Sequence, residues 1–161
     1  MANIIKVGMA DLRCSRHPCI ITTLGLGSCV GIALYDPVSK VAGLAHIMLP
    51  SSQQAKNKSN VAKFADTAIY KLVEDMVSIG ADRKQLWAKI AGGAQMFSFN
   101  DTSEALRIGF RNVSASKEVL KSLKIPIIAE DTGGNYGRTI EIHSENGKLM
   151  IKTIGHGVKE I

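Results

Sequence analysis

The sequence predicts an α/β (α+β) layered sandwich in which mixed and antiparallel strands pack against at least two helices. Short, β-prone apolar runs lie on both sides of two helical stretches that are separated along the chain. Apolar residues make up 45% of the 161 residues, and no apolar run reaches membrane-spanning length. This length favours one domain, 1–161, with a substantial core.

The N-terminal part of the chain is predicted to consist of strands. The β-prone runs are residues 4–7, 19–24, 30–35 and 41–49. A polar loop containing Pro18 joins the first two runs. The turn signal Asp36-Pro37 separates the last two, which therefore predict an antiparallel hairpin that ends at Pro50.

The remainder alternates helices with strands. Asn60 can cap a helix that continues to about Ile79, and Gly80 suits its C-terminal end. A second, basic helix is predicted at about 111–123. The other predicted strands are 86–91, 125–129, 139–143 and 148–154, the last two joined by a turn at Asn146-Gly147. The polar segment 51–60 is either a substrate-facing loop or a plain linker.

Composition excludes several classes of function. The net charge of +6 favours acidic partners, but aromatic residues are only 5% and we expect no nucleic-acid partner. The N-terminus lacks a signal-peptide pattern, so we expect a cytoplasmic protein without membrane insertion. The cysteines, Cys14, Cys19 and Cys29, do not form a disulfide framework, and Cys14-x-x-His17-x-Cys19 lacks a second ligand pair for a metal.

A glycine-rich bend is the first candidate site. An apolar run leads into Thr23-Leu24-Gly25-Leu26-Gly27-Ser28-Cys29-Val30-Gly31. Glycines allow positive φ, and successive N–H groups in such a bend can bind a negative charge. A cysteine beside that concavity suits thiol acyl chemistry, whereas the alternative is a tight turn with a buried small residue. The glycine spacing is one residue too long for a dinucleotide fingerprint.

His46 is the histidine that stands out as a partner for Cys29. It is the polar side chain in the apolar run 41–49, and burying an unpaired imidazole costs free energy. If residues 36–39 form a four-residue loop, counting back from Tyr35 opposite Lys40 places Cys29 opposite His46. A slip of one residue would separate them, and the alternative is a core histidine bonded to a backbone carbonyl.

These residues resemble the CheD family of bacterial chemoreceptor glutamine deamidases. The matching segments are Thr23–Val30, Ala45-His46-Ile47-Met48-Leu49-Pro50, Gly92-Gly93-Ala94 and Ala129–Arg138, in the same order. The resemblance covers nearly the whole chain. It implies a layered α/β sandwich similar to the catalytic domain of deamidating bacterial toxins.

The resemblance also implies roles for individual residues. The family's nucleophile falls on Cys29, its general base on His46 and its third member on Thr23, which would orient the imidazole. Backbone N–H groups at Gly27, Ser28 and Cys29 are candidates for the oxyanion site. Residues Gly134, Asn135 and Arg138 either frame the site or belong to a structural turn.

The implied activity is hydrolysis of receptor glutamine amides to glutamate through a thioester, with no metal or cofactor. The implied partners are the cytoplasmic helices of methyl-accepting chemotaxis receptors and a CheC-type phosphatase. Two alternatives stay open: a transglutaminase or glutamate methylesterase that uses the same thioester, and an adaptor whose Cys–His pair is not used.

Overall fold

Two five-stranded sheets packed face to face form the centre of the molecule in the computed structural model, which describes residues 2–96 and 107–161. The first sheet contains, in spatial order, β1 (Asn3–Val7), β3 (Cys19–Leu26), β8 (Arg138–His143), β9 (Leu149–Thr153) and β10 (Gly157–Glu160). The second contains β2 (Asp11–Arg16), β5 (Val41–Ile47), β4 (Val30–Asp36), β6 (Trp87–Gly92) and β7 (Ile127–Thr132). Both sheets mix parallel and antiparallel pairs, which confirms the predicted fold class.

Helices α1 (Ala65–Ser78) and α2 (Ile108–Ser122) cover the outer face of the second sheet. This layering buries both faces of β4 and β5, so every residue of these two strands is buried. Val30, Ile32 and Leu34 pack toward the helices, while Cys29, Ala33 and Tyr35 pack between the sheets. The sheet interface is therefore the layer in which the predicted site residues lie.

Several element boundaries differ from those predicted. Residues 8–18 were expected to be a loop, but Asp11–Arg16 pairs with β5 as strand β2. A polar run can form a strand there because β2 lies at the edge of its sheet and is partly exposed. Asn60 caps a short 3₁₀ turn, Val61–Lys63, and α1 begins after it. Helix α2 begins three residues earlier than expected, at Ile108.

The predicted register of the β4–β5 hairpin is wrong by two residues. We expected Cys29 opposite His46, but the residue opposite His46 is Gly31. Because side chains alternate along a strand, a shift of two keeps Cys29 on the same sheet face as His46. The two residues are diagonal neighbours, a relation that still lets longer side chains interact.

The shift arises in the hairpin loop, which is Pro37–Lys40 instead of residues 36–39. The Asp36 carboxylate accepts the backbone N–H groups of Val38 at 2.8 Å and Ser39 at 3.2 Å. Lys40 closes the loop with a φ of 58°, and its N–H donates to the Asp36 carbonyl at 2.8 Å. Asp36 therefore stays in the ladder and pairs with Val41.

In the described residues, neither helix combines the length and apolar character that crossing a membrane requires.

Candidate functional site

Thr23 and His46 meet across the two sheets. Thr23 lies on β3 and His46 on β5, and each side chain is 1% exposed. The Thr23 Oγ1 atom is 2.7 Å from His46 Nδ1 and 2.8 Å from the backbone oxygen of Val7. The structure thus brings together two of the three residues that the sequence analysis singled out.

The second contact of Thr23 determines the tautomer of His46. The Val7 carbonyl can only accept, so the single hydroxyl hydrogen of Thr23 is donated to it. Thr23 Oγ1 then accepts from His46, which places the imidazole hydrogen on Nδ1. Nε2 is left with a lone pair, and it is buried without a hydrogen-bond partner in the described part of the chain.

Burial keeps the imidazole of His46 neutral. The apolar surroundings lower the pKa of His46 below its ordinary value of 6.5, because the charged form is poorly solvated there. At neutral pH the ring is therefore unprotonated on Nε2, which is the form that a general base requires.

Cys29 lies immediately before β4 on the same side of the sheet as His46. Its side chain is 8% exposed and packs in the core between the two sheets. Burial raises the pKa of the Cys29 thiol above 9.0, and a hydrogen bond from its own backbone N–H opposes that rise. The resting pair is therefore a neutral thiol and a neutral imidazole, and no hydrogen bond joins Nε2 to the sulfur in the described residues.

Close backbone contacts hold the glycine bend that carries Cys29. Gly25 has a φ of 70°, and its carbonyl accepts the N–H of Gly27 at 3.0 Å. On the other side, the Cys29 carbonyl accepts the Gly93 N–H at 2.8 Å. A Cβ on Gly92 would lie 2.3 Å from the Cys29 oxygen, so a glycine is required for this approach.

The three candidate oxyanion donors differ in the hydrogen bonds that they already make. The N–H of Gly27 is engaged within the bend, where it donates to the Gly25 carbonyl. Across residues 2–96 and 107–161, the N–H groups of Ser28 and Cys29 donate to no backbone carbonyl. Both groups belong to the backbone at Cys29, and the Cys29 N–H also contacts its own thiol. Thiol attack forms the oxyanion on the oxygen of the attacked carbonyl, next to the sulfur, so these two N–H groups stay its candidate donors.

The second glycine bend contacts the segment that follows β6. Gly134 accepts the N–H of Gln95 at 2.9 Å, while Arg138 donates to the Gly92 carbonyl at 3.3 Å. The Arg138 guanidinium is 2% exposed and pairs with Asp131 at 3.1 Å. Asn135 is exposed. This bend therefore braces the backbone that holds Cys29.

The other cysteines and His17 lie elsewhere. Cys19 and His17 both contact the hydroxyl of Ser144, through the Cys19 N–H at 2.7 Å and His17 Nδ1 at 2.8 Å. Cys14 lies on β2 with a pKa raised to about 11 by burial and by Asp75. Within the described chain, no three His, Cys, Asp or Glu side chains are grouped to bind a metal.

Sequence reasoning missed Asn112, which is fully buried on α2 and reaches the site. Its amide nitrogen donates to the carbonyls of Ser28 and Met48. The available signal was the stripe Gly109, Asn112, Val113, Ser116 and Leu120, whose small and polar members lie on the buried face. The predicted helix 111–123 contains all of these residues except Gly109, but the prediction followed the apolar residues, and asparagine and serine are residue types that are mostly exposed.

Comparison with known proteins identifies a family. The model of the family described as CheD chemotactic sensory transduction matches residues 48–153. A Caldanaerobacter subterraneus protein named "Probable chemoreceptor glutamine deamidase CheD" is 62% identical over 160 residues, 99% of each chain. A Lachnoclostridium phytofermentans protein of the same name is 58% identical over the full length of both chains. "Chemoreceptor glutamine deamidase CheD" from Halalkalibacterium halodurans is 55% identical, again over the full length of both.

A solved structure with a related fold is a Neisseria meningitidis protein, NMB0706, of the family DUF152. Its TM-score is 0.51 at 6% identity, and the match covers 83% of this chain and 65% of that one. At such low identity the likeness concerns the fold alone.

Proposed function

This chain belongs to the CheD family, and on that premise we propose that it hydrolyses glutamine side-chain amides on methyl-accepting chemotaxis receptors to glutamate. The observation that carries the proposal is the Thr23–His46 hydrogen bond of 2.7 Å. Together with the hydrogen bond from Thr23 to the Val7 carbonyl, it fixes the tautomer that leaves Nε2 free, on the sheet face that Cys29 shares. The names of the relatives supply the substrate class.

The first half of the reaction forms a thioester. As the substrate amide binds, His46 Nε2 takes the thiol proton of Cys29 and the sulfur attacks the amide carbon. The carbonyl oxygen becomes an oxyanion that the N–H groups of Ser28 and Cys29 stabilise. When the oxygen's electron pair returns to carbon, the C–N bond breaks. The nitrogen leaves as ammonia with the proton that His46 had taken.

The second half uses water and restores the enzyme. His46 Nε2 removes a proton from a water molecule as the oxygen of that water attacks the thioester carbon. Collapse of the second tetrahedral species breaks the C–S bond, and the proton returns to Cys29. The product is glutamate, and each step uses protein groups and water. Thr23 does not react but holds the imidazole in the required tautomer and orientation.

We also propose partners and a location. The substrates are the cytoplasmic helices of the receptors, so the protein acts in the cytoplasm. A CheC-type response-regulator phosphatase is proposed as a regulatory partner. On helix α2, Arg111 and Lys121 are exposed and offer positive charge to acidic stretches of a receptor, whereas Lys117 pairs with Glu130 at 2.9 Å.

The test is conversion of a receptor cytoplasmic fragment, followed by ammonia release and by mass spectrometry of Gln-to-Glu changes. We expect Cys29→Ala and His46→Ala to abolish conversion. Cys14→Ala and His17→Ala, which alter a cysteine and a histidine away from the site, retain it. Conversion by Cys29→Ala would exclude this cysteine as the nucleophile.

Additional measurements in the same assay separate the alternatives. Incorporation of an added primary amine would indicate transglutamination, and methanol release from methylated receptor would indicate methylesterase activity. Phosphatase binding by a wild-type protein that converts no glutamine would favour an adaptor.

A further inference from the structure

The proposed mechanism leaves one fully buried polar side chain near the site without a role. Asn112 on α2 is 0% exposed, and its Nδ2 donates to the Ser28 oxygen at 2.9 Å and the Met48 oxygen at 3.0 Å. Ser28 directly precedes Cys29, and Met48 follows His46 by two residues. One side chain therefore connects the chain segments that carry the nucleophile and the base.

The orientation of the Asn112 amide follows from its partners. Both partners are carbonyl oxygens, which only accept, so the NH₂ group must face them. Its two hydrogens match the two acceptors. The Oδ1 atom is buried and receives no hydrogen bond from residues 2–96 and 107–161. An unsatisfied buried acceptor is unfavourable, so the part of this side chain that stabilises the structure is its pair of donors.

The two hydrogen bonds of Asn112 to Ser28 and Met48, called the Asn112 bridge below, lie just beyond the end of the β4–β5 ladder. The last β4–β5 pair is Val30 opposite Ile47. Beyond it the second segment turns away, because the N–H groups of Met48 and Leu49 both donate to the Lys63 carbonyl. Asn112 thus links, through its side chain, two segments that no backbone hydrogen bond joins beyond Val30 and Ile47 in the described residues.

Close backbone packing holds helix α2, which carries Asn112, against the segment that follows β6. Gly109 packs directly on the backbone that follows β6, where an added Cβ would lie 2.4 Å from the Ala94 oxygen. The neighbouring Gly93 donates its N–H to the Cys29 carbonyl. The helix, the glycine pair and the Cys29 segment are therefore held in direct backbone contact.

We propose that Asn112 is a positioning residue that holds the Cys29 and His46 segments at the separation that proton transfer requires. This inference rests on the proposed function, because it concerns the same pair of reacting groups. A misplacement of about 1 Å between reacting groups can cost about 10²-fold in rate. We therefore expect loss of the bridge to lower kcat by about that factor, with little change in KM.

The decisive variant is Asn112→Asp, which keeps the size of the side chain but removes the NH₂ donors. Its matched control is Ser116→Ala, one turn further along α2. Ser116 is also fully buried, and its hydroxyl donates to the Asn112 carbonyl, within the helix backbone. Both variants lose buried hydrogen bonds on one helix, but only Asn112→Asp removes the bridge.

Two readouts are compared at a temperature where circular dichroism shows each variant folded. The first is kcat and KM for receptor-fragment deamidation. The second is the pH dependence of Cys29 alkylation by iodoacetamide, followed by peptide mass spectrometry, which needs no receptor. We expect Asn112→Asp to lower kcat and to shift the alkylation profile, and Ser116→Ala to leave both as in the wild type.

Wild-type kcat and an unchanged alkylation profile in folded Asn112→Asp would overturn the proposal, as would equal effects of the two variants. If Asn112→Asp does not fold, Asn112→Ser, which keeps one shorter donor, is measured under the same criteria. Failure of the proposed function is seen separately, as conversion by Cys29→Ala. In that case the alkylation profile alone decides whether Asn112 positions Cys29 relative to His46.

Discussion

Replacing Thr23 with valine tests the tautomer argument most directly. Valine has nearly the shape of threonine but has no hydroxyl, so it removes the acceptor at 2.7 Å from His46 Nδ1. The imidazole N–H is then left buried without a partner. The ring can relieve this by moving its hydrogen to Nε2, which destroys the lone pair that acts as the base.

The expected decrease in kcat follows from the free-energy cost of leaving the His46 imidazole N–H without an acceptor. An unsatisfied buried donor costs about 1–3 kcal/mol, which shifts a tautomer equilibrium by about 5–150-fold. We expect kcat for Thr23→Val to fall within that range. Stability falls as well, by about 2–4 °C in Tm for each kcal/mol in a chain of this size. Thr23→Ser keeps the hydroxyl and should retain most of the activity.

The assay combines receptor-fragment deamidation with ¹⁵N NMR of histidine-labelled protein, below the melting range of both variants. In the wild type, His46 should show the Nδ1–H tautomer at pH 7, and Thr23→Val should move toward Nε2–H. Equal kcat values for Thr23→Val and Thr23→Ser would refute the reasoning. So would an Nε2–H tautomer in the wild-type protein.

Three further outcomes are expected. Because the pKa of His46 lies below 6.5, kcat/KM should decrease only when the pH falls below 6.5, and a decrease that begins above pH 6.5 would contradict this. Because the pKa of Cys29 lies above 9.0, the rate of Cys29 alkylation should still increase above pH 9.0. The folded state binds fewer protons than the unfolded state as His46 titrates. The free energy of unfolding therefore includes a contribution from His46 that is present above pH 6.5 and is lost as the pH falls through the pKa of the folded state. In urea titrations at different pH values, the free energy of unfolding of His46→Gln should lack this dependence on pH. Gly92→Ala would place a Cβ 2.3 Å from the Cys29 oxygen at a φ of 109°, so it should lower both Tm and kcat. Gly8→Ala is the control and should lower neither, because no atom lies within 4 Å of the added Cβ. A wild-type Tm for Gly92→Ala would contradict the close approach of Gly92 to the Cys29 carbonyl.

The hairpin illustrates how far periodicity carries a sequence argument. Alternation placed Cys29 and His46 on one face, and that face is correct in the structure because a shift of two residues preserves it. The register of the β4–β5 pair could not be predicted from the sequence. It depends on where the loop closes, which the Asp36 carboxylate and the positive φ of Lys40 decide.

The sequence by itself determined the layered fold class, the hairpin and the choice of Cys29 and His46 as candidates, since strand patterns and turn residues are local signals. Thr23 was indicated by the resemblance to the CheD family. Tertiary structure alone decided that the Thr23 hydroxyl bridges Val7 and His46, because these residues come from three strands in two sheets. It also decided that Asn112 joins the segments of Cys29 and His46, more than sixty residues away along the chain. Contacts of that kind depend on how the layers pack, which no local pattern encodes.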